Sequence, residues 1–349
     1  MIGPACIAAG PARIGDASTA SIQFPLVSSS ARRKPKPKSK RKGGHPAGRP
    51  GAVAPATFGD WVGGARLRTL PLAIAPVLVG TGAAVDASNP GVFHWVRALL
   101  CLAVALCLQI GVNYANDYSD GVRGTDAYRV GPSRLTGSGK AKPRVVLTVA
   151  LGFFALAAIA GLLLVIASQQ WWLLIVGAAA IVAAWFYTGG RHPYGYYGLG
   201  EVFVFVFFGL VATAGTMFVQ VLNVSQVAWL GAVAVGLLAC AVLVVNNLRD
   251  IDVDRQAGKR TLSVLIGRTW SRVLYTIFVL VPFAILALIS LLYTLGWLGF
   301  FTLIAALPAI VITLFARTPR ELITALQLTS ISALLYAAFL AAALAWSPL

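Results

Sequence analysis

A chain of 349 residues that is 58% hydrophobic and 11% charged, with a formal net charge of +17 and a mean hydropathy of +0.80, lies far outside the range of water-soluble domains. It leaves no room for a large soluble domain and reads as an all-α, polytopic membrane protein. Four cysteines without a CxxC spacing, three of them (Cys101, Cys107, Cys240) inside apolar runs and Cys6 near the start, argue against a disulfide framework or a zinc site.

Residues 1–56 lack helical periodicity and carry the run Arg32-Arg33-Lys34-Pro35-Lys36-Pro37-Lys38-Ser39-Lys40-Arg41-Lys42. Like charge broken by prolines predicts a disordered basic tail that orients the chain and touches anionic headgroups, where each Lys or Arg is worth about 1 kcal/mol. Nucleic-acid binding is not expected of it. The opening residues are too broken by Pro and Gly for a signal peptide. Residues 57–349 form the membrane domain. Apolar runs of a length that spans a hydrocarbon core of about 30 Å recur there, at about 66–86, 93–115, 145–166, 171–188, 200–221, 227–248, 272–292, 296–316 and 322–345. Nine transmembrane helices are therefore expected. With the tail in the cytoplasm, every break that carries Lys or Arg falls inside and the outside breaks carry none, as the positive-inside rule requires. That orients the chain with its N-terminus cytoplasmic, and a plasma-membrane location is expected.

Acids are scarce. Of eleven, seven sit in three patches on that cytoplasmic side: Asp117, Asp120 and Asp126; Glu201; and Asp250, Asp252 and Asp254. An Asp at the centre of a membrane helix costs about 2.5–3.5 kcal/mol, so acids at the ends of apolar helices call for a cation, a polar cavity or water. On a helix, Asn113, Asp117 and Asp120 share one face, and Asn246, Asp250 and Asp254 share another, leaving Asp252 turned away. The two patches also repeat at an offset of about 133 residues, which suggests two related four-helix halves with a ninth helix appended.

Carboxylates and amides without His or Cys are hard oxygen donors, which suit Mg²⁺ holding a phosphate-bearing substrate. Around them lie Arg123, Arg134, Lys140, Arg249, Lys259 and Arg260, and a metal with an Arg/Lys clamp is a standard device for holding diphosphate. Arg134 and Lys259 are the preferred clamp. Between the patches runs Tyr187-Thr188-Gly189-Gly190-Arg191-His192-Pro193-Tyr194-Gly195-Tyr196-Tyr197-Gly198-Leu199-Gly200-Glu201, whose Tyr faces can stabilise a developing carbocation. An interfacial aromatic belt is the plainer alternative. Glu201 is the nearest acid outside the two Asp-rich patches, a candidate base or a cap for the fifth span.

Asn116-Asp117-Tyr-Ser-Asp120 followed by Gly131-Pro-Ser-Arg134, and Asn246-Asn247-Leu-Arg249-Asp250-Ile-Asp252-Val-Asp254 followed by Gly258-Lys259, resemble the two aspartate motifs of the UbiA-type intramembrane prenyltransferases. With the Tyr187-Thr188-Gly189-Gly190 loop between them, the pattern is most similar to the menaquinone-synthesis branch. The resemblance implies a nine-helix bundle around a membrane-open cavity. It also implies two Mg²⁺ ions, one on Asn116, Asp117 and Asp120 and the other on Asp250 and Asp254. Tyr187 is catalytic on that reading, and Asn113, Asn116, Arg134, Lys140, Asn246, Arg249, Lys259, Tyr194 and Glu201 contact substrate. The implied substrates are polyprenyl diphosphate and 1,4-dihydroxy-2-naphthoate, giving demethylmenaquinone, CO₂ and diphosphate. One departure stands out: where the family motif often has a further Asp four residues after Asp120, this chain has Gly124, with Asp126 two residues on. Two other readings compete. A CDP-alcohol phosphotransferase keeps its acids in one contiguous signature, and an ion-coupled carrier places its binding residues near the bilayer midplane.

Overall fold

Residues 53–87, 93–125 and 134–346 are described in the computed structural model. The basic run of the tail and Asp126 lie outside them. All regular structure among the described residues is helical. A capping box opens α1 (Phe58–Gly64): the Thr57 hydroxyl accepts from the Asp60 N–H at 3.2 Å, and the Asp60 carboxylate accepts from the Thr57 N–H at 2.9 Å. Then follow α2 (Pro71–Ala87), α3 (Trp95–Arg123), α4 (Pro143–Ser168) and α5 (Leu173–Phe186). The chain continues through α6 (Gly200–Val221), α7 (Gln226–Gln256), α8 (Leu262–Ser290), α9 (Thr294–Phe315) and α10 (Pro319–Ala345).

Seven of these helices are long and apolar enough to cross a bilayer, and an eighth span arises if α1 and α2, bent by 47°, count as one. The protein is thus an all-helical, multi-pass membrane protein with seven or eight candidate spans. The shortfall from nine lies in the 171–188 run. Only the 14 residues of α5 are helical there, about 21 Å at 1.5 Å per residue against a hydrocarbon core of about 30 Å. Two other helices exceed their apolar runs. At 29 residues α3 is about 43 Å long and α7, at 31, about 46 Å. Both carry their acidic stretches as continuous helix, so helical spacing sets which of those side chains share a face.

The larger core lies among α2, α6, α7, α8 and α10 and includes Val79, Met217, Leu238, Tyr275 and Tyr336. α6 winds as a π-helix over Phe205–Val211, where it meets α7 backbone to backbone. A Cβ added to Gly209 would stand 2.7 Å from the Gly236 Cα and 2.9 Å from the Ala232 carbonyl oxygen, the close approach that small residues permit between membrane helices. A second cluster joins α3 and α4 through Tyr114, Val146, Ala150 and Phe154, with Leu135 of the following turn buried among them.

At the end of the bundle away from the acids, Arg97 donates to the carbonyls of Val219 (2.8 Å) and Ala167 (2.7 Å). It satisfies the open C-terminal ends of α6 and α4 at once. Arg97 sits in the first turn of α3, inside the 93–115 apolar run rather than in a break, and these two hydrogen bonds hold it there.

Candidate active site

One cavity of about 530 Å³ runs between α2, α3, α4, α5, α6 and α7 and has two ends of opposite character. Its apolar part is walled by residues such as Pro76, Leu108, Val165, Ile181, Phe207 and Val211. Its polar part holds Asn113, Asn116 and Asp120 from α3, Asn246, Asn247, Asp250 and Asp254 from α7, together with Arg134, Tyr187, Thr188, Tyr194, Tyr196 and Lys259.

Asp120 is the hub. Only 2% exposed, its carboxylate takes Arg134 at 3.2 Å, Lys259 at 3.0 Å and the Tyr196 hydroxyl at 2.7 Å. The Lys259 ammonium also lies 4.0 Å from Asp254, so one cation joins the acids of α3 to those of α7. A buried carboxylate is tolerable only with this much compensation. Lys259 rests 4.6 Å from the centre of the Tyr196 ring, and the Arg123 guanidinium 5.2 Å from it, so the ring seats two cations. Arg123 further donates to the Thr188 and Gly190 carbonyls, and the Arg260 N–H donates to the Tyr196 carbonyl at 2.9 Å. The Tyr-rich loop is thereby tied to both helix ends. Burial and the neighbouring Asp120 push the Tyr196 phenol well above its usual pKa; burial alone does the same for Tyr194. Both stay neutral donors.

The polar amides are held as well. The Thr188 hydroxyl donates to the Asn116 side-chain oxygen at 2.6 Å. Asn113 donates to the Ala65 carbonyl at 2.9 Å and the Thr69 hydroxyl at 3.2 Å, fastening the α1–α2 bend to α3. Buried Glu201 accepts from the Asn247 amide at 3.0 Å. Since a carboxylate needs the NH₂ group, the Asn247 oxygen is the atom left for the cavity.

The UbiA prenyltransferase family model matches residues 73–321. This chain belongs to the UbiA prenyltransferase family. It is similar to the 1,4-dihydroxy-2-naphthoate octaprenyltransferase of Mycobacterium tuberculosis, 50% identical over 296 residues that cover 84% of this chain and 99% of that protein. The Escherichia coli protein of the same name is 38% identical over 247 residues, 68% of this chain and 79% of that one. Among solved structures, a UbiA homolog from Archaeoglobus fulgidus bound to GPP and Mg²⁺ superposes with a TM-score of 0.58 at 15% identity, over 82% of this chain and 99% of that chain. At that identity it shows the fold alone: the bundle is UbiA-like.

Against this family background the residues singled out in the sequence separate. Asn113, Asn116, Asp120, Arg134, Tyr187, Tyr194, Asn246, Asp250, Asp254 and Lys259 all line the cavity. Four others do not. Asp117 turns its carboxylate to the backbone N–H groups of Leu135 and Thr136, at 2.9 Å each. Lys140 pairs with Asp60 at 2.6 Å. Arg249 clasps its neighbour Asp250 with two bonds of 2.7 and 2.6 Å, out of the cavity. Glu201 is outside the cavity lining, its carboxylate accepting from the Asn247 amide. Tyr196, Asn247, Thr188 and Thr261 reach the cavity without having been singled out. Tyr196 was the least legible, because nothing local distinguishes it from Tyr197, which is 53% exposed.

Proposed function

We propose that this protein transfers a polyprenyl group from a polyprenyl diphosphate to 1,4-dihydroxy-2-naphthoate, releasing CO₂ and diphosphate, in menaquinone biosynthesis. The observation that carries the proposal is the cavity's polarity. One end pairs buried carboxylates with cations, and it is continuous with an apolar passage among the helices, which is the shape of a lipid diphosphate. The half-identical relative from M. tuberculosis, matched over nearly all of its own length, supports the choice of acceptor.

The donor set fits Mg²⁺. Asp120, Asp250 and Asp254 with Asn116 supply hard oxygens at one end of the cavity, and Mg²⁺ takes one or two carboxylates, completing its shell with water and substrate phosphate. Among the described residues no three acidic, His or Cys side chains are grouped so as to hold a metal by themselves, so water and substrate phosphate would have to complete the shell. Asn116 and Asp120 would hold one ion, and Asp250 and Asp254 a second once Arg249 yields an oxygen of Asp250. Bound there, the metal supplies charge neutralisation for the departing diphosphate.

The chain's own residues do the rest. Arg134 and Lys259 leave Asp120 to grip the diphosphate. Tyr187, in the cavity lining, can offer a ring face to the allylic carbon as its bond to oxygen breaks. Tyr194 and Tyr196 hold the wall around it through their hydroxyl bonds to the Ala183 carbonyl and Asp120, and the apolar walls keep water out. The ring carbon bearing the carboxylate attacks that carbon. The carboxylate then departs as CO₂, and its bonding pair restores the aromatic ring. No net proton is released and no electron acceptor takes part, so the product leaves as the quinol form of demethylmenaquinone. A general base is not required by the overall balance, in keeping with Glu201 lying outside the cavity.

The membrane arrangement belongs to the same proposal. The polar end faces the cytoplasm of the plasma membrane, and α5 serves as a short ninth span. The reaction is tested with carboxyl-labelled dihydroxynaphthoate, a polyprenyl diphosphate and Mg²⁺. Label released as CO₂ in step with diphosphate is expected; label retained in the prenylated product, or 4-hydroxybenzoate consumed in preference, overturns the choice of acceptor.

A further inference from the structure

Asp117 is a buried acid in the first aspartate motif for which the transfer has no use at the cavity. Both its oxygens are engaged, Oδ2 by the Leu135 N–H and Oδ1 by the Thr136 N–H, each at 2.9 Å, and it is 2% exposed. A helix turns about 100° per residue, so Asn116 and Asp120 can look into the cavity while Asp117 looks along the bundle. One turn further on the same face is Gly121, where an added Cβ would stand 2.5 Å from the Thr136 side chain and 3.0 Å from the Gly137 nitrogen. Leu135, between these contacts, is buried against the Tyr114 and Phe154 cluster. The turn after Arg134 is therefore seated on α3 by two charge-assisted hydrogen bonds, a close backbone approach and one apolar plug. The residue entering that turn is Arg134, whose guanidinium arrives 3.2 Å from Asp120.

We infer that Asp117 is a positioning residue: its carboxylate clamps the Leu135–Thr136 backbone to α3 and so delivers Arg134 to the diphosphate. The inference rests on the reading of Arg134 as a diphosphate ligand. It separates the acids of the first motif into two jobs, Asp120 at the cavity and Asp117 behind the arginine. An Asn at 117 keeps one oxygen acceptor and offers an NH₂ to a backbone N–H, so one of the two bonds becomes a donor–donor clash. The turn then loosens while the cavity face of α3 is untouched.

The test uses the full-length protein in detergent with inorganic diphosphate as the probe. Its binding is measured by calorimetry at saturating Mg²⁺, and the Mg²⁺ concentration for half-maximal turnover is measured separately. Arg134→Gln is expected to weaken diphosphate binding by about tenfold or more and Asp117→Asn by about fivefold or more, with the Mg²⁺ requirement of Asp117→Asn within about twofold of the parent. Because both act through one group, the double variant binds no more weakly than Arg134→Gln alone. Gly121→Ala pushes the same turn off α3 without touching an acid and is expected to reproduce the Asp117→Asn loss; it carries the comparison if Asp117→Asn does not fold. A Mg²⁺ requirement raised as far as in Asp120→Asn, losses that multiply in the double variant, or undiminished diphosphate binding in Asp117→Asn overturns the inference alone. Undiminished binding in Arg134→Gln overturns the grip of Arg134 and the inference with it.

Discussion

At the scale of single residues, α7 offers the sharpest contrast. Asp250 and Asp254 line the cavity, whereas Asp252, between them, pairs with Arg268 on the surface, the two side chains being 64% and 49% exposed. An exposed ion pair is worth about 0–1 kcal/mol, while removing a charge from a buried diphosphate site removes stabilisation of the departing group. Asp250→Asn is thus expected to lower turnover at least about a hundredfold and Asp252→Asn less than about twofold, with both substrates saturating. Equal losses would overturn the assignment of faces. Tyr196 divides its work between hydroxyl and ring. Tyr196→Phe loses the 2.7 Å bond to Asp120 but keeps the seat under Lys259, so a loss of about tenfold is expected, and a larger one for Tyr196→Leu. The Tyr196 pKa is raised, so its neutral form persists below that value. The ratio of parent to Tyr196→Phe activity should stay flat between about pH 7 and 9, and a ratio that falls over that range would mean the phenol ionises.

Among whole elements, the open ends and crossings of helices decide stability. Arg97 closes the C-terminal ends of α4 and α6, and Arg272 donates to the Ala316 carbonyl just past α9 at 2.6 Å. Removing such a donor leaves carbonyls unsatisfied at about 1–3 kcal/mol. Arg97→Leu is expected to lower the melting temperature in detergent while turnover per folded molecule is unchanged, since Arg97 lies at the end away from the acids. The crossing of α6 and α7 is stricter. Gly209 and Gly236 touch through backbone atoms, so Gly209→Val forces the helices apart along a wall of the cavity and is expected to reduce both stability and turnover, whereas exposed Gly152, with open space around its Cα, accepts Ala without loss.

For the molecule as a whole, the cavity has its polar mouth at one end of the bundle, and the proposed orientation puts that mouth in the cytoplasm. In a variant lacking the four native cysteines, a Cys placed at exposed Asn223, between α6 and α7, is expected to react with an impermeant thiol reagent added outside intact cells. A Cys at exposed Ala257, beyond α7, is expected to react only after the membrane is opened. The reverse pattern inverts the orientation.

Membrane residence and helical class follow from composition and from the recurrence of apolar runs, because the bilayer admits few ways to satisfy a backbone and helices are the chief one. The facing of Asn246, Asp250 and Asp254 was legible too, since α7 continues as a regular helix through them and helical spacing alone sets which side chains align. What sequence could not decide was which of two adjacent acids on α3 serves the cavity. The repeat at an offset of 133 pairs Asp117 with Asp250 and puts Asn113, Asp117 and Asp120 on one broad stripe, yet only its two outer members reach the cavity. The difference comes from a turn distant in sequence whose N–H groups claim the Asp117 carboxylate. The same holds for Lys140, claimed by Asp60, and for Tyr196, chosen over Tyr197 by the positions of Asp120 and Lys259. Helical periodicity fixes directions to within a face of the helix; which group answers a buried charge depends on partners brought together by tertiary packing.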